Sequence, residues 1–280
     1  MSMRVLLFGA SGMLGQDLTR AFSGDNVSAP SSLDVNLCDE HQVLSAVQRI
    51  HPDWVILSAA YTDVDGCEKD PAKALAVNRD GAVHVARATQ KTGSRLLFLS
   101  SDYVFDGEKH SPYEIDDPRN PINVYGRSKV EAESQLLEIL PECCIVRTSW
   151  LFGVGGKCFP DTILKLAQKQ PELRVVDDQR GCPTYTVDLA SAIAALTRTQ
   201  ASGIVHATNS GSCTWYEFAR AVLAARTTVA NVVPVTTSKS PRPARRPAYS
   251  LLSNRSLLAF GTALPDWQDA LVRYLQQRND

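Results

Sequence analysis

The sequence predicts an α/β fold in which a doubly wound parallel sheet carries a smaller C-terminal α/β lobe. Three observations predict it. Short β-branched or Leu-rich runs alternate with helical patterns through the first half. A glycine-rich loop joins the first run to the first helix. The rhythm becomes less regular after Arg147.

The apolar runs are Arg4–Phe8, Asn26–Ala29, Trp54–Leu57, Arg95–Leu99 and Cys144–Arg147. Each is short and continuous, as strands buried on both faces are. Helical patterns fall near 13–23, 39–50, 70–92 and 126–140. Alternating β and α elements imply parallel pairing with right-handed crossovers. Later helices are expected near 158–170, 185–199, 214–226 and 266–278. Short strands are expected at Arg174–Val176, Gly203–His206 and Val232–Val235, and a Pro/Arg-rich loop at Thr236–Ser250. No internal repeat or low-complexity tract is present. The late elements are expected over the C-terminal edge of the sheet, where open α/β sheets hold their ligands.

Composition excludes several classes. The chain has 280 residues, 44% of them hydrophobic, enough for a sizeable core. With 16 glycines and 15 prolines it is neither collagenous nor disordered. A formal net charge of −1 provides no global field for nucleic acid or an anionic membrane. No apolar run approaches the ~18 residues of a membrane span. Met1 to Phe8 leads into a strand-like run, not a basic segment with a signal-peptide core. Cys38, Cys67, Cys143, Cys144, Cys158, Cys182 and Cys213 show neither CxxC pairs nor metal spacing, and read as reduced thiols in a cytoplasm. The histidines at 41, 51, 84, 110 and 206 have no ligand spacing, and no metal is expected.

The glycine loop is Gly9-Ala10-Ser11-Gly12-Met13-Leu14-Gly15, a GxxGxxG pattern. Glycines allow the sharp turn and let a pyrophosphate approach the backbone, while the helix N-terminus offers free N–H groups. This placement predicts a Rossmann-like dinucleotide site. Residues 1–150 are expected to form that NAD(P)-binding domain, with parts of later segments such as 180–206 returning to it, and 151–280 mainly a substrate lobe. Near the end of the second strand stand Ser28, Ala29, Pro30, Ser31 and Ser32. No carboxylate there repels a 2′-phosphate and no arginine grips one, so NADPH and NADH both remain open. Asp34 with Val35 follows, either meeting the adenine or capping its own loop.

Tyr125-Gly126-Arg127-Ser128-Lys129 is a YxxxK pattern. Spacing i, i+4 puts phenol and ammonium on one helix face. A free Tyr titrates near ~10. A neighbouring ammonium is expected to favour its phenolate, making it a usable proton shuttle for a carbonyl or alcohol. A hydroxyl partner is expected at the end of the fourth strand, where Ser100 and Ser101 both qualify.

Glycine loop, strand-end Ser and YxxxK together resemble the extended short-chain dehydrogenases/reductases. Further segments narrow the resemblance: SAAYTDVDGCEKDPAKALAVN, SSDYVFDG, PINVYGRSK, RTSWLFG, VVDDQRGCPTYTVDLA, GIVHATNSGSCTWYEFA and RPAYSLL follow in order. The set is similar to the dTDP-4-dehydrorhamnose reductase family over nearly the whole chain. The resemblance implies that Tyr125 is the proton donor, and that Lys129 tunes it and holds the nicotinamide ribose. Ser101 would hydrogen-bond the keto oxygen, standing where the family usually has Thr. Gly12, Met13 and Leu14 would sit at the pyrophosphate, Asp34 and Val35 near the adenine, and Ala60, Tyr61 and Thr62 along the cofactor. Leu99 would pack near the nicotinamide, and Asp102, Tyr103 and Trp150 would line the sugar pocket. Arg246 would meet the nucleotide diphosphate; Lys239, Arg242 and Arg245 make the same loop basic, or are simply solvated. Trp215 and Trp267 read as packing residues.

The implied reaction is NAD(P)H-dependent reduction at C4 of dTDP-4-keto-L-rhamnose to dTDP-L-rhamnose, in a cytoplasmic monomer or homodimer. A dehydratase is disfavoured, because Tyr103 stands where those relatives carry a catalytic Glu. A regulatory subunit with a reductase-like fold, of the methionine adenosyltransferase β type, would be favoured by loss of Tyr or Lys, and both are present. A reductase of another 4-keto sugar fits the same motifs, since fold alone does not set substrate.

Overall fold

The structure is a computed structural model that describes residues 2–226 and 230–278. Residues 1 and 279–280, at the outer limits of the two expected segments, lie outside the described residues. The first half runs β1 (Arg4–Phe8), α1 (Met13–Ala21), β2 (Asn26–Ser28), α2 (Glu40–Ile50), β3 (Trp54–Leu57), α3 (Val64–Lys69), α4 (Pro71–Leu75), a π-helical turn (Ala76–Asp80), α5 (Gly81–Thr92), β4 (Arg95–Ser101), α6 (Val124–Ile139) and β5 (Cys144–Thr148). The second half runs β6 (Leu151–Phe152), α7 (Phe159–Ala167), β7 (Glu172–Val176), β8 (Arg180–Gly181), β9 (Thr184–Tyr185), α8 (Thr186–Arg198), β10 (Gly203–His206), β11 (Cys213–Thr214), α9 (Trp215–Ala224), β12 (Asn231–Val235), α10 (Arg255–Leu258) and α11 (Trp267–Gln277).

Six parallel strands form the main sheet in the order β10-β5-β4-β3-β1-β2. Side chains alternate across each strand, so both faces are covered. Val5, Leu7, Trp54, Ile56, Leu97, Leu99, Cys144 and Val146 meet α1 and α8 on one face. Leu6, Phe8, Val55, Leu57, Leu96, Phe98 and Ile145 meet α2, α5 and α6 on the other. This two-sided burial is the reason the strand segments read as unbroken apolar runs. A third core joins Phe152, Ile163, Phe218, Trp267 and Tyr274 from α7, α9, α11 and the short strands. Among the described residues, no helix is long and apolar enough to cross a membrane.

The order places a switch point between β1 and β3: the chain leaves β1 for β2 on one side and returns to β3 on the other. A crevice outside the strand ends is the topological consequence. The loops beginning at Gly9 and Ser58 flank it.

The expected helix over 70–92 runs without a gap from Pro71 to Thr92, with one π-helical turn inside it. Asp63 caps α3, Asp70 caps α4 through Lys73 N–H, and Pro71 takes the first position of α4, where a missing N–H costs nothing. The π-helical turn then shifts the register before α5. It carries the buried Asn78, whose amide is spent on Tyr61 and Ser128. α5 ends on Gly93 with φ +68°, the left-handed stop that Gly adopts without strain.

Among the described residues, one ion pair is wholly buried. Arg147 of β5 donates to Glu133 of α6 through Nε at 2.9 Å and Nη2 at 2.7 Å. Ser100 and Arg119 donate to the same carboxylate. Removing one partner of such a pair strands a charge in the interior. Arg147→Met is expected to destabilise the protein by about 3–5 kcal/mol, read as a lower urea midpoint. An unchanged midpoint would show that the pair contributes no more than an apolar contact.

Candidate active site

The end of β4 turns its two serines to opposite sides. Ser100 points toward α6 and donates to Glu133 at 2.5 Å. Its neighbour therefore points the other way. Ser101 Oγ donates to Asp102 Oδ1 at 2.9 Å and accepts from Tyr103 N–H at 3.2 Å. The chain then enters a single 3₁₀ turn, Asp102–Val104, capped by Ser101.

α6 begins where Asn123 caps it, its side chain accepting from Gly126 N–H at 2.8 Å. Tyr125 is thus in the first turn and Lys129 one turn on. The two turns touch directly: a Cβ on Gly126 would lie 2.0 Å from the Tyr103 carbonyl oxygen. Only glycine permits that approach. Tyr103 and Tyr125 meet edge to face with centroids 6.0 Å apart. Lys129 is buried, donates to the Leu99 carbonyl at 2.9 Å, and lies 4.6 Å from the Phe98 ring centroid. Ser128 donates to the Tyr125 carbonyl and accepts from Asn78.

The electrostatics differ from the expectation in one respect. The Tyr125 phenol is raised above its ordinary value, first by burial and then by the Asp102 charge, with a smaller opposing pull from Ser101. The expected lowering by Lys129 does not dominate, because desolvation of a buried phenolate outweighs it and the ammonium is engaged by Leu99. Burial brings Lys129 down to about 8, with Glu133 opposing. Below that pH the pair is a neutral phenol beside an ammonium, the form a proton donor requires.

The glycine loop sits at the switch point. Gly9 has φ +97°, and a Cβ there would lie 2.5 Å from Ala59 N. A Cβ on Gly15 would lie 2.0 Å from the Gly9 carbonyl. Gly12 caps α1, whose first turn, Met13 and Leu14 included, carries no acidic residue. The helix end is open to an anion.

The remaining expected residues divide. Ala60, Tyr61 and Thr62 follow β3 beside this loop, and Asn78 pins the Tyr61 backbone from both N–H and carbonyl. Asp34 caps its own loop, accepting from Ser31 N–H at 2.9 Å and Ser31 Oγ at 2.6 Å. Val35 is buried in the core under the sheet. Trp150, with φ +47°, stacks on Trp215 at 3.6 Å, and Gly181 lies against its ring. Trp215 is therefore packing, but packing that holds Trp150. Arg246 pairs with Asp65 at 2.6 Å, and Arg242 reaches the same carboxylate at 3.5 Å. Lys239 and Arg245 are exposed. Among the described residues no cluster of His, Cys, Asp or Glu could hold a metal. Sequence reasoning missed Glu133, Asn78 and Asp65. Glu133 alone had a signal, standing four residues after Lys129 on the same helix face.

Fold and site together define the class: an open-sheet, dinucleotide-type fold with a Ser–Tyr–Lys set at the strand ends. Residues 3–279 match the family model described as RmlD substrate binding domain, and the chain belongs to that family. It is 41% identical to the Bacillus subtilis spore coat polysaccharide biosynthesis protein SpsK, over 99% of this chain and 98% of that one. It is 42% identical to a dTDP-4-dehydrorhamnose reductase of Streptomyces griseus, over 96% and 92%. The crystal structure of a dTDP-4-dehydrorhamnose reductase from Bacillus anthracis in complex with NADP superposes with a TM-score of 0.96 at 36% identity, over 99% and 100%.

Gly126→Ala tests the contact between the two turns. Overpacking against backbone is expected to cost about 1–3 kcal/mol in urea unfolding and to change the near-ultraviolet circular dichroism of the tyrosine pair. A stable variant with an unaltered spectrum would mean the turns do not need this contact.

Proposed function

We propose that this chain reduces the C4 keto group of dTDP-4-keto-L-rhamnose to dTDP-L-rhamnose with NADPH or NADH. The observation that carries the reading is the Ser101–Tyr125–Lys129 set beside the glycine loop, in a chain similar end to end to proteins named for this activity.

The residues fit a dinucleotide. The tight Gly9–Gly15 packing leaves backbone where side chains would block a pyrophosphate. Ala60, Tyr61 and Thr62 would follow the cofactor, and Leu99 and Lys129 would meet its nicotinamide end. When bound, the reduced nicotinamide supplies the hydride. Ser101 O–H holds the keto oxygen. Tyr125, kept protonated by burial, passes its proton to that oxygen as negative charge develops there. Lys129 places a fixed positive charge behind the phenol, so the phenolate formed is stabilised without reorganisation. Asp102, Tyr103 and Trp150 would bound the sugar, and Arg246 would turn from Asp65 to the diphosphate. Tyr103 cannot serve as an eliminating base, since burial holds its phenol protonated. That supports reduction over dehydration.

Every residue named comes from one chain, so the reading holds for a monomer or a homodimer. The seven free cysteines agree with a reducing cytoplasm.

The direct test mixes the protein with the keto sugar, generated from dTDP-glucose by dehydratase and epimerase, and with NADPH or NADH. Loss of reduced-nicotinamide absorbance that depends on the epimerase is expected. No loss, in protein that binds NADPH, would point to another keto sugar or to a regulatory subunit. Tyr125→Phe is expected to lower kcat by roughly 10²–10⁴-fold while NADPH affinity stays within about twofold. Retained turnover would remove Tyr125 as the donor. Lys129→Ala is expected to weaken NADPH binding by roughly 10–100-fold in a fluorescence titration, the value of a charge-assisted hydrogen bond. Unchanged binding would exclude its contact with the cofactor.

A further inference from the structure

We propose that Asp102 is a positioning residue, and that a proton held on its carboxyl turns the Ser101 hydroxyl toward the substrate's keto oxygen. The inference rests on the reductase reading above. It starts from a count of donors and acceptors. A hydroxyl has one proton to give and two lone pairs with which to accept. Tyr103 N–H already donates to Ser101 Oγ at 3.2 Å, and Asp102 Oδ1 lies 2.9 Å away. An ionised carboxylate only accepts, so it takes the single Ser101 proton and leaves none for the substrate. A protonated Asp102 reverses that bond. Its O–H donates to Oγ, the Tyr103 N–H fills the second lone pair, and the Ser101 proton is free to enter the cleft.

The surroundings favour the protonated form. Asp102 is 2% exposed, and its Oδ2 has no well-aligned hydrogen bond, the Ser250 hydroxyl being the only further side chain drawn to the carboxyl among the described residues. A charge divided over one bonded and one unbonded oxygen in the interior is costly. Burial is the largest influence and raises the carboxyl to about 7, against opposing pulls from the Ser250 and Ser101 hydroxyls and from local backbone. The titratable groups facing it are Tyr103 in its own turn and Tyr125 from α6. Ser101 of β4 and Ser250 add neutral hydroxyls. Arg246 and Asp65 act on the Tyr103 phenol from beyond it. The Lys129 ammonium is directed at the Leu99 carbonyl. Asp102 neither gains nor loses a proton over the catalytic cycle; the proton delivered to the substrate comes from Tyr125.

The test is the pH profile of kcat for wild type, D102N, S101A and the double variant. It is joined by infrared difference spectra of the wild type and D102N, which report a protonated carboxyl without turnover. Wild-type kcat is expected to fall about tenfold from about pH 6 to pH 8 as a group near 7 ionises. D102N places an amide N–H where the carboxyl O–H would be. It is expected to lose the step, whatever its absolute rate as a variant of the sugar pocket. S101A is expected to be roughly a hundredfold slower throughout, without the step, and D102N is expected to add nothing to it. A protonated-carboxyl band should be present in the wild type at low pH and missing from D102N. Three results would overturn the inference: a step near pH 7, below the Lys129 fall at about 8, that persists in D102N, the same step in S101A, or no protonated-carboxyl band attributable to Asp102. An inactive wild type would overturn the reductase reading and the inference with it, and is told apart by having no turnover at any pH.

Discussion

The buried Glu133 carboxylate is the interaction on which the rest of the site depends. It receives two bonds from Arg147, one from Arg119 and one from Ser100, so a charge that would otherwise be prohibitive in the core is fully satisfied. Those partners sit on β5, on the loop after β4, and on β4 itself. Glu133 belongs to α6. One residue therefore fixes the helix carrying Tyr125 and Lys129 against the two strands whose ends form the cleft. His206 lies next to Arg147 and is held neutral, its imidazole pulled down to about 3 by burial and by that guanidinium. The cluster accordingly adds no further positive charge behind the site.

Three more contacts complete the placement of α6. Lys129 reaches the Leu99 carbonyl, Ser128 reaches Asn78 in the π-helical turn, and Gly126 lets the Tyr103 backbone rest on the first turn. Each joins the helix to a different segment. The backbone that carries Tyr125 is thereby fixed before any ligand binds, which is part of what preorganisation requires. The substrate side is built differently. Trp150 is braced by Trp215 and Gly181, whereas Arg246 rests on the Asp65 carboxylate.

Much of this was legible in the residues. The strand positions follow from continuous apolar runs, and β1, β3 and β10 fall at the expected bounds. The glycine loop and YxxxK were readable because their chemistry needs fixed local spacing. What escaped was set by residues far apart in the chain. Spacing could not choose between Ser100 and Ser101; pairing of β4 with β5 and the presence of Glu133 beneath them did. The π-helical turn inside the helix over 70–92 carries Asn78 to Tyr61 and Ser128, partners that periodicity does not contain. The expected effect of Lys129 on Tyr125 was a pairwise argument, and burial, which no pair contains, reversed its outcome.

The sequence by itself determined the α/β order, the glycine turn after the first strand and the i, i+4 placement of Tyr125 and Lys129 on one helix, because each is encoded locally by periodicity or backbone freedom. Only the tertiary structure decided which serine turns to Glu133, which charges are buried together, and how burial outweighs a neighbouring charge. Those outcomes depend on solvent exclusion and on partners 14 to 181 residues apart, Glu133 with Arg147 and Asp65 with Arg246, and neither quantity exists until the chain has folded.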